Sequence, residues 1–305
     1  MSEVICLASW NADLVSRVPR PIERGETLLA SGFTIGPGGK GSNAAIACAR
    51  QGARTAVIAR IGRDDFGRMA LALWAREGID ASMVEVVDGE PSGVAQILVY
   101  DDGDNSIAVA PGAGAGLGVR HADAAAARLR QARVVMASCE VPLAATLAAF
   151  AHARAGGAFT LLNPAPAQPL SDDLLALCDL LTPNETELRL LAGVHTDAPP
   201  AEAAGVLLAR GTGAIAVTLG AAGCALFRRG HPPLTLAGHA MQVTDTIGAG
   251  DTFTGAMAAA LSRGEALGSA VAWANAAAAL SVTGSGAIAG MPSRDAVAAL
   301  LSRPH

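Results

Sequence analysis

From Val119 to the glycine turn at residues 220–223, the chain alternates helix-patterned and strand-patterned segments, and that alternation admits few architectures. Helix-patterned residues 121–131 lead to an apolar run at 133–137, and a helix over 143–155 leads to a strand over 159–162. Apolar residues 174–181 end in Thr182-Pro183-Asn184-Glu185, and a helix over 201–210 leads to a strand over 214–219. Such a rhythm predicts a mostly parallel sheet with helices on both faces, because parallel neighbours need a crossover and a helix supplies it. In sheets of this kind ligands bind beyond the carboxyl ends of the strands. Those ends carry Ser138-Cys139-Glu140, Asn163-Pro164, Asn184 to Glu187 and Gly220 to Gly223, so polar and small residues gather at one edge.

At 305 residues the chain is long enough for one large α/β domain over residues 1–305 or for two smaller ones. The chain is 51% hydrophobic, 16% charged and only 3% aromatic, which predicts close-packed Ala- and Gly-rich helices on a sheet. A net charge of −5 forces no basic face, so no nucleic-acid partner is expected. The five cysteines, Cys6, Cys48, Cys139, Cys178 and Cys224, have no CxxC pairing and read as buried residues in a reducing, cytoplasmic setting. The N-terminal run MSEVICLASW lacks a basic leader pattern, and the uncharged run over 266–293 reads as a buried helix and loop, so no membrane segment is expected. The six histidines form no metal-ligand spacing, and GxSxG is absent.

The first part of the chain is less regular. Residues 4–9 fit a buried strand that runs into Trp10-Asn11-Ala12-Asp13. If the chain stays extended there, Asn11 and Asp13 share a face and could hold a polyol; an Asx turn is the other reading. Trp10 then points away from Asn11. Residues 26–35 read as a partly exposed strand, followed by GPGGKGSN at 36–43, which opens an Ala-rich helix. Walker A does not fit, because Lys40 is followed by Gly41 and position 34 is Thr. A strand over 55–61 turns through an Asp64-Asp65 cap into a helix ending near Glu77. Residues 93–100 and 106–110 flank an Asp-Gly turn and form a hairpin, expected to pair with the segment at 27–35 in a small separate sheet. A second hairpin is expected over 224–229 and 234–238, and last helices over 266–280 and 293–302.

VTDTIGAGDTFTGAM, residues 243–257, enters a glycine turn and leaves through Asp251 into an apolar helix. The first N–H groups of a helix lack intrahelical partners and carry partial positive charge, so small residues there can cradle a phosphate. Asp251 at that position is either a helix cap or a base that takes a proton from a hydroxyl during phosphoryl transfer.

Taken in order, NAD at 11–13, GGKGSN, GVAQILV, NPAPA, TPNETE, TLGAAG and DTIGAGDTF resemble the ribokinase-like, or PfkB, family of carbohydrate kinases over nearly the whole chain. The resemblance implies a three-layer α/β/α sandwich with a small β-sheet lid made by residues 11–35 and 92–110. It implies transfer of the γ-phosphate of ATP to O5 of D-ribose, with Asp251 as base and Gly248, Ala249 and Gly250 as the anion hole. Asn11, Asp13, Gly39, Lys40, Asn43 and Glu140 match sugar-binding positions, and Ala95 and Ile97 match apolar lid positions. Asn184 and Glu187 match residues near the phosphates and magnesium. Thr218, Gly220 and Gly223 match the nucleotide loop, Gly250 faces the phosphates, and Asn275 lies where the adenine edge would approach. A monovalent cation such as potassium is implied near Asp245, Ile247, Val282, Ser285 and Gly286, although Gly290 stands where the family often has serine. Homodimerisation through the lid strands is implied as well. The alternatives are a same-fold kinase for fructose, 2-keto-3-deoxygluconate or a nucleoside, and a catalytically inactive sugar-binding regulator.

Overall fold

A computed structural model of the chain describes residues 3–302; Met1 and Ser2, the first two residues of the N-terminal run, lie outside them. The chain opens with β1 (Glu3–Leu7), β2 (Asn11–Arg17) and β3 (Gly32–Gly38), followed by α1 (Lys40–Arg50) and β4 (Arg54–Gly62). Next come α2 (Asp65–Arg76), β5 (Asp80–Val87), β6 (Gly93–Val99) and β7 (Asn105–Ala110). The alternating part holds α3 (Val119–Ala124), α4 (Ala126–Gln131), β8 (Val134–Ser138), α5 (Leu143–Ala155), β9 (Phe159–Asn163), α6 (Asp172–Leu177) and β10 (Leu180–Leu181). It continues through α7 (Glu185–Ala192), α8 (Pro200–Ala209) and β11 (Ala214–Thr218). β12 (Cys224–Arg228), β13 (Leu234–Leu236), α9 (Ala249–Ser262), α10 (Leu267–Ser281) and α11 (Arg294–Leu301) complete it.

The large sheet has nine strands in the order β13-β12-β11-β10-β9-β8-β1-β4-β5. Every neighbouring pair from β11 to β5 is parallel, and β12 and β13 add an antiparallel edge. Strand alternation sorts its side chains onto two cores. Val4 and Cys6 pack beneath α1, α2, α9, α10 and α11, whereas Ile5 and Leu7 pack beneath α3 to α8. The predicted three-layer sandwich is therefore present. Alanine on α1 and glycine on α9 let those helices nearly touch, since a Cβ at Gly255 would lie 2.2 Å from the Ala44 carbonyl oxygen. No helix among the described residues is long and apolar enough to cross a membrane.

Several local expectations need correction. The small sheet has the order β3-β2-β6-β7, so the β6–β7 hairpin pairs with β2 rather than with residues 27–35. β3 begins only at Gly32, and residues 26–31 are not a strand. One reason is Pro21 with Gly25 and Gly32, which punctuate the connection. Strand β5 escaped sequence reading because DASMVEVV lacks strict alternation, although Gly78 before it and Asp88-Gly89 after it are turn signals. The helix expected over 121–131 is broken into α3 and α4 at Ala125, and residues 174–181 divide into the end of α6 and the two-residue β10. All five cysteines are buried and free.

Candidate active site

β2 stays extended after β1, with Asn11 opposite Gly93 and Asp13 opposite Ala95, so these two polar residues share a face with Ala95 and Ile97 of β6. The Asx turn is thereby ruled out. Trp10 points the other way into the core, edge-on to Trp74 at 5.8 Å between ring centroids. Asn11 is buried, and burial together with the nearby Glu140 carboxylate pushes Asp13 up to about 6, with Lys40 pulling against it.

Helix α1 starts at Gly39, whose φ of 95° and a would-be Cβ 2.6 Å from the Ser9 carbonyl oxygen both exclude a side chain. Its free N–H groups are capped from elsewhere in the chain. Glu140 Oε2, at the end of β8, accepts from the Lys40 N–H at 2.8 Å and from Ser9 Oγ at 2.7 Å, while Ser9 Oγ accepts from the Gly41 N–H at 3.0 Å. One Glu140 oxygen is thus occupied, and the other is open to a ligand. Ser9 was missed by sequence reading; its only signal was its place at the end of a strand.

Helix α9 is capped by Gly248 in the left-handed conformation, φ 78°. Asp251 is therefore not the cap but the third residue of the helix, with 6% of its surface exposed. Asn43 Nδ2 donates to Asp251 Oδ2 at 2.9 Å, and Asn163 Nδ2, at the end of β9, approaches Oδ1 at 3.5 Å. Asn163 was quoted in a motif but given no role. Burial pushes Asp251 up to about 6, while the Lys40 ammonium and the Asn43 amide work to keep it ionised. Burial works to lower Lys40, but the carboxylates of Asp251, Glu140, Glu187 and Asp13 outweigh it and leave it raised. A carboxylate raised toward neutral pH at the start of a helix is chemically suited to accept a hydroxyl proton while backbone N–H groups receive an anion, although the Ala249 N–H here also donates to the Thr246 carbonyl at 3.3 Å.

Beside the start of α9 lies a cavity of about 510 Å³. Thr218, Gly220, Gly223, Gly250 and Asn275 line it, as does Ala249; sequence reading missed the apolar wall of Met241, Val243, Phe253 and Ala278, and Val282, expected near the cation, lines the cavity too. Asn275 gives its amide hydrogen to the Ala237 carbonyl at 2.8 Å, which turns its Oδ1 away from that bond. Asn184 and Glu187 do not line the cavity. Their side chains form a reciprocal capping box on α7, each accepting the other's backbone N–H, at 2.8 and 2.9 Å. Asn184 still pairs with Thr218 across a parallel bridge, which brings it to the cavity's edge.

Asp245 ties two loops together: Oδ1 accepts from the Ile247 N–H at 3.0 Å and Oδ2 from the Gly286 N–H at 2.8 Å. The Val282 carbonyl accepts from Thr244 and Asp245. Ser285 lies in the same loop. Gly290 is glycine for a steric reason, since a Cβ there would lie 2.0 Å from the Ser281 carbonyl oxygen. Among the described residues no group of three or more His, Cys, Asp and Glu could hold a metal ion by itself.

The sequence profile described as pfkB family carbohydrate kinase matches residues 1–294. The chain is 39% identical over 290 residues to the ribokinase of Haemophilus influenzae, covering 94% of each chain. It is 33% identical over 294 residues to the deoxyribokinase of Salmonella typhi, covering 95% of this chain and 96% of that one. Among solved structures, ribokinase of Arabidopsis thaliana complexed with ribose and ATP superposes with a TM-score of 0.93 at 32% identity, covering 99% of each chain.

Proposed function

Because the chain belongs to the pfkB family of carbohydrate kinases, we propose that it transfers the γ-phosphoryl group of ATP to O5 of D-ribose, giving D-ribose 5-phosphate. The observation that carries the reading is Asp251: a buried carboxylate raised to about 6, held by Asn43 and following directly on Ala249 and Gly250 at the start of the helix. It joins the cavity we assign to ATP, which Gly250 lines, to the polar cluster we assign to the sugar. The ribokinases it resembles support the substrate.

In this mechanism Asn11, Asp13, Asn43 and the open oxygen of Glu140 hold the sugar hydroxyls, with Gly39 letting the backbone approach and Lys40 balancing the carboxylates. Asp251 takes the proton from O5 as that oxygen attacks the γ-phosphorus in line. The N–H groups at Gly248, Ala249 and Gly250 stabilise the charge on the transferring group. Asn184, Thr218, Gly220, Gly223 and Asn275 orient the nucleotide. Magnesium would neutralise phosphate charge, and the oxygen-only chemistry of Glu187 suits an ion that keeps most of its waters. The loops tied by Asp245 offer peptide carbonyls of Ile247, Ser285 and Gly286 to a potassium ion, a donor set of the right hardness, whereas the Val282 carbonyl already accepts from Thr244 and Asp245.

We read residues 1–305 as one domain with the small sheet as its lid, Ala95 and Ile97 closing over the sugar to exclude water. Phe33 and Ile35 on the outer face of β3 are 59% and 52% exposed, which supports a homodimer through the lid. The five buried free cysteines agree with a cytoplasmic setting. The similarity to a deoxyribokinase favours 2-deoxyribose as a second substrate, since the two sugars share the O5 acceptor.

The test is ADP release with ATP and magnesium across a sugar panel, with and without potassium. Selective turnover of D-ribose supports the reading. A kcat/KM higher for 2-deoxyribose replaces the substrate and keeps the mechanism. Sugar binding without turnover would mean a regulator.

A further inference from the structure

We propose that Asp64 and Ser92 form a latch that roots the small sheet on the end of β4 and so positions the residues that contact the sugar; this rests on the sugar-kinase reading above. Asp64 is the N-cap of α2, and a cap needs one acceptor. Asp64 uses both oxygens. Oδ1 accepts from the Gly67 N–H at 2.7 Å and from Ser92 Oγ at 2.7 Å, and Oδ2 accepts from the Ser92 N–H at 2.7 Å. Ser92 Oγ in turn accepts from the Gly62 N–H, the last residue of β4, at 3.0 Å.

Ser92 is the residue before β6. Gly93 sits so close to Asn11 that an added Cβ would lie 2.5 Å from Asn11 Oδ1. Two residues further on is Ala95, then Ile97. A shift of Ser92 is therefore passed directly to Asn11 and to both apolar residues on the same face.

The other end of the hairpin is rooted at the same place. The Ala113 N–H, just beyond β7, donates to the Pro91 carbonyl at 2.7 Å. Arg60 of β4 donates to the Ala113 carbonyl at 2.8 Å and pairs with Glu90 at 2.6 and 2.7 Å. There is no slack between these parts: Cβ atoms added at Gly62 and Gly112 would meet the carbonyl oxygens of Glu90 and Pro91 at 2.4 and 2.3 Å. Asp64 and Ser92 touch no reacting atom and act only through what they hold.

Asp64→Asn separates the latch from the cap. Asparagine caps a helix as well as aspartate, but its Nδ2 would face the Ser92 N–H, donor against donor. The experiment compares wild type, D64N and S92A by steady-state kinetics in both substrates and by thermal melting. The latch predicts a roughly tenfold higher KM for D-ribose in D64N, with kcat and the KM for ATP within about twofold of wild type. S92A should show the same split, about threefold, and it decides the question if D64N does not fold. Folded variants with unchanged sugar KM, or with sugar and ATP KM raised alike, overturn the latch. Wild type inert on every sugar overturns the kinase reading and the latch together.

Discussion

Asn43 Nδ2 lies 2.9 Å from Asp251 Oδ2, a buried hydrogen bond that joins the first turn of α1 to the first turn of α9 across 208 residues. It fixes the start of α1 against the start of α9. After the Lys40 ammonium, it is the second influence that favours the ionised form of Asp251 despite burial.

Asp251→Asn should lower kcat by about 10²-fold or more, the usual contribution of a positioned base. It should also stabilise the protein at pH 8. The folded value of about 6 lies above the unfolded 3.8, so ionised Asp251 costs stability above pH 6, and that cost fades as pH falls from 6 to 3.8. Melting curves should show the variant higher by on the order of 5 °C at pH 8, with the gap closing at pH 4. A variant less stable at pH 8 would contradict the burial argument.

The pH profile of kcat/KM should fall on the acid side near pH 6. Asp251 and Asp13 are both raised to about 6, so the limb should steepen toward the loss of two protons. In Asp13→Asn the limb should flatten to one proton while the sugar KM rises. A profile flat down to pH 5 would count against both carboxylates.

Asn43→Ala removes a hydrogen bond that favours the ionised form of Asp251. The acid limb of kcat should therefore move to higher pH, by roughly one unit. Loss of sugar affinity with the limb unmoved would make Asn43 a sugar ligand only.

Gly290→Ser installs the side chain that the family resemblance implies at this position, but its Cβ would overlap the Ser281 carbonyl oxygen. The expected result is a loss of stability of about 1–3 kcal/mol, read by denaturant unfolding, with no gain in potassium stimulation. A stable variant with stronger potassium activation would show that the loop can yield.

Ile35→Asp places a charge on the exposed outer face of β3. Sedimentation should show a dimer for wild type and a monomer for the variant, with melting unchanged at low concentration. A wild-type monomer would remove the lid interface.

Local rules made much of the molecule legible. The Ala- and Leu-rich helices α5 and α8, the Asp64 cap and both hairpins follow from local composition and turn chemistry, which act over a few positions. The large parallel sheet was also readable, because crossover helices leave a repeating pattern. Partners far apart in sequence were not readable. Whether Asp251 capped its helix could not be settled from its neighbours; it took the left-handed Gly248 to show that it does not, and Asn43 and Asn163, from far along the chain, are what surround its carboxylate. Ser9 and Glu140 act as a cap for α1 from 32 and 100 residues away. Sequence alone determined most of the strands and helices and the polar residues at the ends of the parallel strands, since those depend on short-range sterics and burial period, but not β5, the late start of β3 or the break at Ala125. Only the tertiary structure decided that β6 pairs with β2, that one Glu140 oxygen is occupied, and that Asp251 is buried enough to hold a proton near pH 6. Pairing, capping across the chain and desolvation all depend on what packs against a residue, and no spacing within a segment encodes that.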